Sequence, residues 1–206
     1  EIDRIVRVGF ELAMGRRKRL TSVDKANVLE TGRLWREIAT EVAEDYPDVE
    51  IEHVLIDNAA MQLIMNPARF DVIVAENTFG DILTDEAAQI QGGVGTAGSA
   101  NVGKRYGMFE AIHGSAPRMV QEGRAQYADP SSLLRAAAMM LEHIGLNDLG
   151  ARLHRSIDIC GQYERKVVMT GRDTGSTSKE FGDYLMATVE DPNVDSRWEE
   201  YVGEQG

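Results

Sequence analysis

VEIEHVLIDNAAMQLIMNPARFDVIVAENTFGDILTDEAAQI, residues 49–90, decides the fold class. Residues 49–56 read as a strand whose polar end is Asp57 and Asn58, and residues 59–65 then take helical spacing until Pro67 stops them. Residues 70–75 form a second buried strand with Glu76 and Asn77 as its polar end, followed by a helix over 79–90. The same order occurs just upstream. A short strand, 20–23, leads through Asp24 and Lys25 into a helical pattern over 27–46, with Val28, Leu29, Leu34, Trp35, Ile38 and Val42 on one side and Pro47 as its stop. Three strand-to-helix units in succession imply parallel pairing through right-handed crossovers. The chain is therefore expected to be α/β, with parallel or mixed sheets and helices on both faces.

On the amino-terminal side, residues 1–15 form an amphipathic helix, and Arg16, Arg17, Lys18 and Arg19 read as a solvated end that complements its macrodipole. The first residue is Glu rather than Met and already lies in helical pattern, so the sequence reads as beginning in the middle of a fold. On the other side the texture changes at Gln91. Gly92, Gly93, Gly95, Gly98 and Gly103 crowd a stretch without proline, read as a boundary or a functional loop. A strand over 108–112 ends at His113. Asp129 and Pro130 have the form of a helix start for 131–144, and a further helix follows over 149–162. Thr177 with Glu180 fits a capping box for a last helix over 178–189. The acidic tail from Glu190 frays unless Trp198 or Tyr201 docks.

Composition removes whole classes of function. With 34 Asp and Glu against 22 Lys and Arg, the net charge of −12 lacks the electrostatic footprint of a nucleic-acid binder. No apolar run approaches the roughly 20 residues that span a bilayer. The lone Cys160 excludes an internal disulfide and a cysteine zinc cage, and it suits a reducing cytoplasm.

In open α/β sheets ligands sit beyond the carboxyl ends of the strands. Lys25, Asp57 and the pair Asp81 and Asp85 fall there, and the last two stand one helical turn apart on one face. Two like charges on one face repel, and an oxygen-bound divalent cation relieves that. Each residue alone has a plainer reading: Asp81 favours a helix dipole, Asp57 caps its helix, Lys25 is solvated. Their meeting at one sheet edge favours chemistry.

Four longer strings carry a resemblance: SVDKANVLETGRLWR at 22–36, DNAAMQLI at 57–64, FDVIVAENTFGDILTDE at 70–86 and FEAIHGSAP at 109–117. Together, in this order, they resemble the isocitrate and 3-isopropylmalate dehydrogenases, over residues 1 to about 185. The resemblance implies oxidation and decarboxylation of a (2R)-hydroxy diacid with NAD or NADP and Mg²⁺ or Mn²⁺. It makes Lys25 the base for the C2 hydroxyl, and Asp57, Asp81 and Asp85 the metal ligands. Asn27 and Val28 become substrate contacts, with Val28 meeting an isopropyl group. His113, Gly114, Ser115 and Ala116 wrap the adenosine, with Arg118 and Asp129 beside it.

In this family Lys25 and Asp57 reach the neighbouring subunit's site, so a homodimer with shared active sites is implied. The resemblance also implies two interwoven domains whose first half is missing here. Residues 1–91 would then belong to the dimer-forming catalytic domain, 92–189 to the carboxyl half of the cofactor domain, and 190–206 to a tail. Among hydroxy diacids, VDKANVLE at 23–30 favours 3-isopropylmalate, while GGVGTAGSANVG at 92–103 looks more like the isocitrate branch. A non-catalytic regulatory or assembly subunit is the other class, and retention of Lys25, Asp57, Asp81 and Asp85 argues against it. Arg118 stands where NAD-using relatives often carry Asp and NADP-using ones Lys or Arg, and Asp129 stands where Asn is common. Arg118 should therefore raise tolerance of NADP.

Overall fold

The computed structural model describes residues 1–93 and 96–203. It divides into two compact units, Glu1–Ile90 and Gln91–Gly206. Gly95, part of the glycine-rich stretch, lies outside the described residues.

In the first unit the elements run α1 (Ile2–Met14), β1 (Arg19–Asp24), α2 (Glu30–Ala43), β2 (Glu50–Leu55), α3 (Ile56–Met65), β3 (Val72–Ala75) and α4 (Asn77–Gln91, its last residue already across the unit boundary). The sheet order is β2-β1-β3, all parallel, with Leu20 opposite both Ile51 and Val72. β1 is central, and its residues after Arg19 are all buried. Its alternation feeds two cores. Leu20 packs with Val6, Phe10, Trp35, Ala39 and Val74 from α1, α2 and β3 on one face. Val23 packs with Val54, Ala59, Leu63 and Leu83 from β2, α3 and α4 on the other. The polar Ser22 survives in this core because the Trp35 indole N–H donates to its Oγ at 3.0 Å.

Several boundaries differ from the sequence reading. The long helix expected over 27–46 is shorter, because residues 26–28 form a turn and α2 opens only at Glu30. The basic run after α1 is exposed, as expected of a solvated end, but it also makes long-range bonds. Arg16 Nε lies 2.9 Å from Asp71 Oδ1, the Arg17 amide donates to the same carboxylate, and the Arg17 guanidinium bonds the carbonyls of Ala68 and Phe70. These residues pin the entry to β3, a long-range role that helix-end statistics do not reveal.

In the second unit the elements are β4 (Gly98–Val102), β5 (Gly107–Ala111), α5 (Pro117–Gln121), α6 (Ser131–His143), α7 (Asn147–Asp158), α8 (Ser178–Glu190) and α9 (Val194–Gly203), with a π-helical turn over Ile159–Glu164. β4 and β5 form an antiparallel hairpin. The glycine-rich stretch thus contains a strand. Gly98 is needed there because a Cβ would come within 2.5 Å of the Ala136 amide nitrogen, so α6 crosses β4 at backbone contact. The capping box of α8 is present: Glu180 N–H donates to Thr177 Oγ1, and Thr177 N–H donates to the Glu180 carboxylate at 2.7 Å. The tail docks. Val194 is fully buried, Tyr201 stacks on Tyr163 with 5.2 Å between ring centroids, and its hydroxyl donates to Glu164.

Candidate active site

β1 ends at Asp24, a fully buried carboxylate with three local duties. It accepts from Arg36 Nε at 2.8 Å and Nη2 at 2.9 Å, and from the Ala26 amide at 2.9 Å. That bidentate pair and the turn it closes fix the backbone on either side of Lys25. Gly32, at the start of α2, holds the same turn from the other side. A Cβ there would stand 2.8 Å from both the Ala26 nitrogen and the Lys25 carbonyl carbon, so α2 sits against the peptide of the lysine itself.

Lys25, thus aimed, places Nζ 2.5 Å from Asp57 Oδ1. Asp57 does not cap its helix, the plainer reading of its sequence position. β2 runs directly into α3, whose N-cap is Leu55, so Asp57 is inside the first helical turn. The Lys25 ammonium, helped by local backbone N–H groups, holds the Asp57 carboxyl below its ordinary range. The lysine is largely shielded, and the carboxylate remains open to solvent.

Asp81 and Asp85 lie on α4, which follows β3, the other neighbour of β1. Because the three strands are parallel, Lys25, Asp57 and the Asp81–Asp85 pair all follow the carboxyl edge of one sheet. Asp81 is not in the first turn of α4. Glu76 serves that end, its carboxylate accepting the amides of Thr78 at 3.0 Å and Phe79 at 3.1 Å. Asp81 and Asp85 are exposed, and among the described residues neither has a cationic partner within 4.0 Å. Two carboxylates without a structural task, one turn apart, fit the hard oxygen donors that Mg²⁺ or Mn²⁺ takes. Among the described residues no three His, Cys, Asp or Glu side chains gather into a complete metal cage. Among the described residues, Asp57, Asp81 and Asp85 therefore do not meet in one cluster. Asn27 and Val28 are exposed on the turn after Lys25, Val28 to 63%.

In the second unit β5 delivers the 113–116 loop. His113 to Ala116 are all exposed, and His113 Nδ1 lies 2.9 Å from the Gly114 carbonyl. The loop is braced from below: Ser132 Oγ accepts the Ile112 amide at 3.2 Å and donates to the Ala97 carbonyl. Ala116 takes a left-handed backbone (φ 45°) to turn the chain into α5. Asp129 accepts the Ser131 amide at 2.9 Å, serving the start of α6, and borders a cavity of about 390 Å³ that Arg135, Gln162 and Arg165 also line. Arg118 is not free: its Nε donates to Glu122 Oε1 at 2.7 Å.

Sequence reasoning missed Asp24, Arg36, Gly32 and Glu122. The only signal for the first was its place beside Lys25.

A parallel sheet with a lysine and three carboxylates at its carboxyl edge defines an α/β protein of the class that does its chemistry beyond the ends of its strands. Within that class, the chain belongs to the isocitrate/isopropylmalate dehydrogenase family, whose model matches residues 1–183. It is 56% identical over 143 residues to the 3-isopropylmalate dehydrogenase of Aquifex aeolicus, covering 69% of this chain and 38% of that one. To the 3-isopropylmalate dehydrogenase of Novosphingobium aromaticivorans it is 45% identical over 201 residues, covering 92% and 54%. Among solved structures, the isocitrate dehydrogenase from Methylococcus capsulatus superposes with a TM-score of 0.84 at 37% identity, over 92% of this chain and 56% of that one. The chain spans about half the length of the curated relatives it matches. Among the described residues, no helix is long and apolar enough to cross a membrane.

Proposed function

We propose that this chain is the carboxyl-terminal part of a dehydrogenase that oxidises and decarboxylates a (2R)-hydroxy diacid, with 3-isopropylmalate as the substrate. The observation that carries this reading is the Lys25–Asp57 pair, 2.5 Å apart on the same sheet edge that α4 leaves with Asp81 and Asp85. The names of the relatives, most of them 3-isopropylmalate dehydrogenases, support the substrate. Isocitrate is the second reading, favoured by the name of the Methylococcus structure.

Each residue then has a task. In its neutral form the Lys25 amine takes the proton of the C2 hydroxyl and becomes the ammonium, and Asp57, accepting a hydrogen bond from it, orients that nitrogen. Asp24 and Arg36 position the lysine backbone. Asp57, Asp81 and Asp85 hold Mg²⁺ or Mn²⁺, with Asp57 coming from a second copy of the chain. Val28 and Asn27 contact the substrate, and the His113–Ala116 loop receives the adenosine of NAD or NADP. When bound, the nicotinamide supplies a hydride acceptor and the cation a Lewis acid. The partner is a second copy of this chain in a homodimer, and the lone buried thiol of Cys160 suits a cytoplasmic enzyme.

The test is nicotinamide reduction by the intact protein with 3-isopropylmalate or isocitrate in the presence of Mn²⁺. Turnover of 3-isopropylmalate, lowered roughly 10²- to 10⁴-fold in kcat by Lys25→Met, is expected. Preference for isocitrate would transfer the assignment to the second reading. Turnover of neither diacid would overturn both.

A further inference from the structure

We infer that Glu122 sets the balance between NAD and NADP, by holding Arg118 in an ion pair and by standing as a carboxylate beside any phosphate that Arg118 would bind. This inference rests on the reading that the 113–118 segment receives adenosine.

Three bonds fix the carboxylate. Glu122 Oε2 accepts Arg124 Nε at 2.8 Å and Nη2 at 2.6 Å, a bidentate clamp, and Oε1 accepts Arg118 Nε at 2.7 Å. Arg124 is itself anchored, because its Nη1 donates to the Gly171 carbonyl at 2.6 Å and its amide to the Met119 carbonyl at 2.9 Å. Gly123, at φ 70°, gives the backbone reversal that brings Arg124 back onto Glu122. The two arginines are unequal partners. The Arg124 side chain is 31% exposed, and the Arg118 side chain is 87% exposed. Arg124 therefore holds the carboxylate in place, and Arg118 is the arm that can leave it.

Arg118 is the second residue of the five-residue helix α5 and reaches Glu122 one turn on. An exposed pair at this spacing is weak, so it orients Arg118 without locking it. The two arginines, and Arg172 nearby, keep the Glu122 carboxyl below its ordinary range, so it is ionised whenever the protein works near neutrality. A 2′-phosphate brought to Arg118 thus competes with one carboxylate for the guanidinium and is repelled by the same charge. A 2′-hydroxyl meets neither penalty and can donate to a carboxylate. Arg118 by itself favours the 2′-phosphate. Glu122 offsets that preference, and the pair together makes an enzyme that accepts both cofactors.

The experiment measures binding by calorimetry, with the intact protein and two probes, adenosine 5′-monophosphate and adenosine 2′,5′-bisphosphate. Removing one charge from beside a doubly charged phosphate, in partly screened surroundings, is expected to tighten the bisphosphate about three- to tenfold in Glu122→Gln, leaving the monophosphate nearly unchanged. In an Arg118→Ala background, Glu122→Gln should give a smaller gain, since relief of the repulsion remains but no guanidinium is released. A ratio of the two affinities unmoved by Glu122→Gln, with the monophosphate bound, overturns the role of Glu122 alone. Failure of the monophosphate to bind the wild-type protein overturns the adenosine reading, and this inference with it.

Discussion

Lys25 owes its position to Asp24, Arg36 and Gly32. Asp24 has no exposed side-chain surface, and among the described residues its carboxylate is met by Arg36 and the Ala26 amide. Arg36→Met leaves that carboxylate buried without its cation, a change expected to cost about 2–4 kcal/mol in urea unfolding. It should also lower kcat by loosening the 24–26 turn. Arg36→Lys restores the charge but not the two-pronged geometry, so it should recover stability more than kcat. Full recovery of both in Arg36→Lys would mean that Asp24 needs only a charge. Asp85 gives a direct test of the cation. In calorimetric titration of the intact protein with Mn²⁺, Asp85→Ala is expected to weaken binding at least tenfold, and unchanged affinity would remove Asp85 from the site. The sequence shows Lys25, Asp81 and Asp85 because charged residues after apolar runs stand out. It hides Asp24 and Arg36, since an ion pair 12 residues apart leaves no periodic trace.

At the scale of elements, the strand-helix rhythm of 20–90 is legible because β3 is an unbroken apolar run, VIVA, and each strand is followed by polar residues and a helical pattern. β4 was not. Glycine at 98, chosen for the approach of α6, erases the side-chain alternation that marks a strand. The docking of α9 was legible only as a condition on Trp198 or Tyr201, because its anchor is a carboxylate from another element. Glu164, 8% exposed in its side chain, accepts Arg197 Nη2 at 2.6 Å, Lys166 Nζ at 2.6 Å, the Tyr201 hydroxyl at 2.8 Å and the Tyr184 hydroxyl. It joins the π-helical turn to α8 and α9. Burial alone would raise its carboxyl, but the four donors outweigh burial and pull it from an ordinary 4.5 to about 2. A depressed folded pKa stabilises the protein fully above the unfolded value, and that contribution fades as pH falls toward the folded one. The urea midpoint should therefore drop between about pH 5 and about pH 2 more steeply in wild type than in Glu164→Gln, which should start lower near neutrality and vary less. Parallel slopes would show that α9 is held by packing and not by this carboxylate.

At the scale of the whole molecule, the first unit carries an apolar face that its own core does not use. On α3, Ala59 and Leu63 point into the core, whereas Met61, Ile64 and Met65 are 50%, 67% and 70% exposed. On α4, Ile82 and Ile90 are similarly open. Large side chains at i, i+3 and i+4 form an outward apolar helical face, and the homodimer proposed above would have a second copy present the same face to it. Among the described residues Asp57 and the Asp81–Asp85 pair do not gather into one cluster. In a two-fold dimer that shares its sites, each site takes Asp81 and Asp85 from one chain and Lys25 and Asp57 from the other. Lys25→Ala and Asp81→Ala forms of the intact protein should each be inactive. A hybrid of the two has one site missing both groups and one site with both intact. Random reassortment of equal amounts makes half of the dimers hybrid, each with one of two sites restored, so about a quarter of wild-type activity is expected. A site built within a single chain would leave every hybrid dead, so absence of activity in hybrids isolated by dual affinity tags would overturn the shared arrangement. Charged substitutions at Ile64 and Met65 supply the control, since they should abolish both the hybrids and the recovery while the first unit, whose core they do not enter, stays folded.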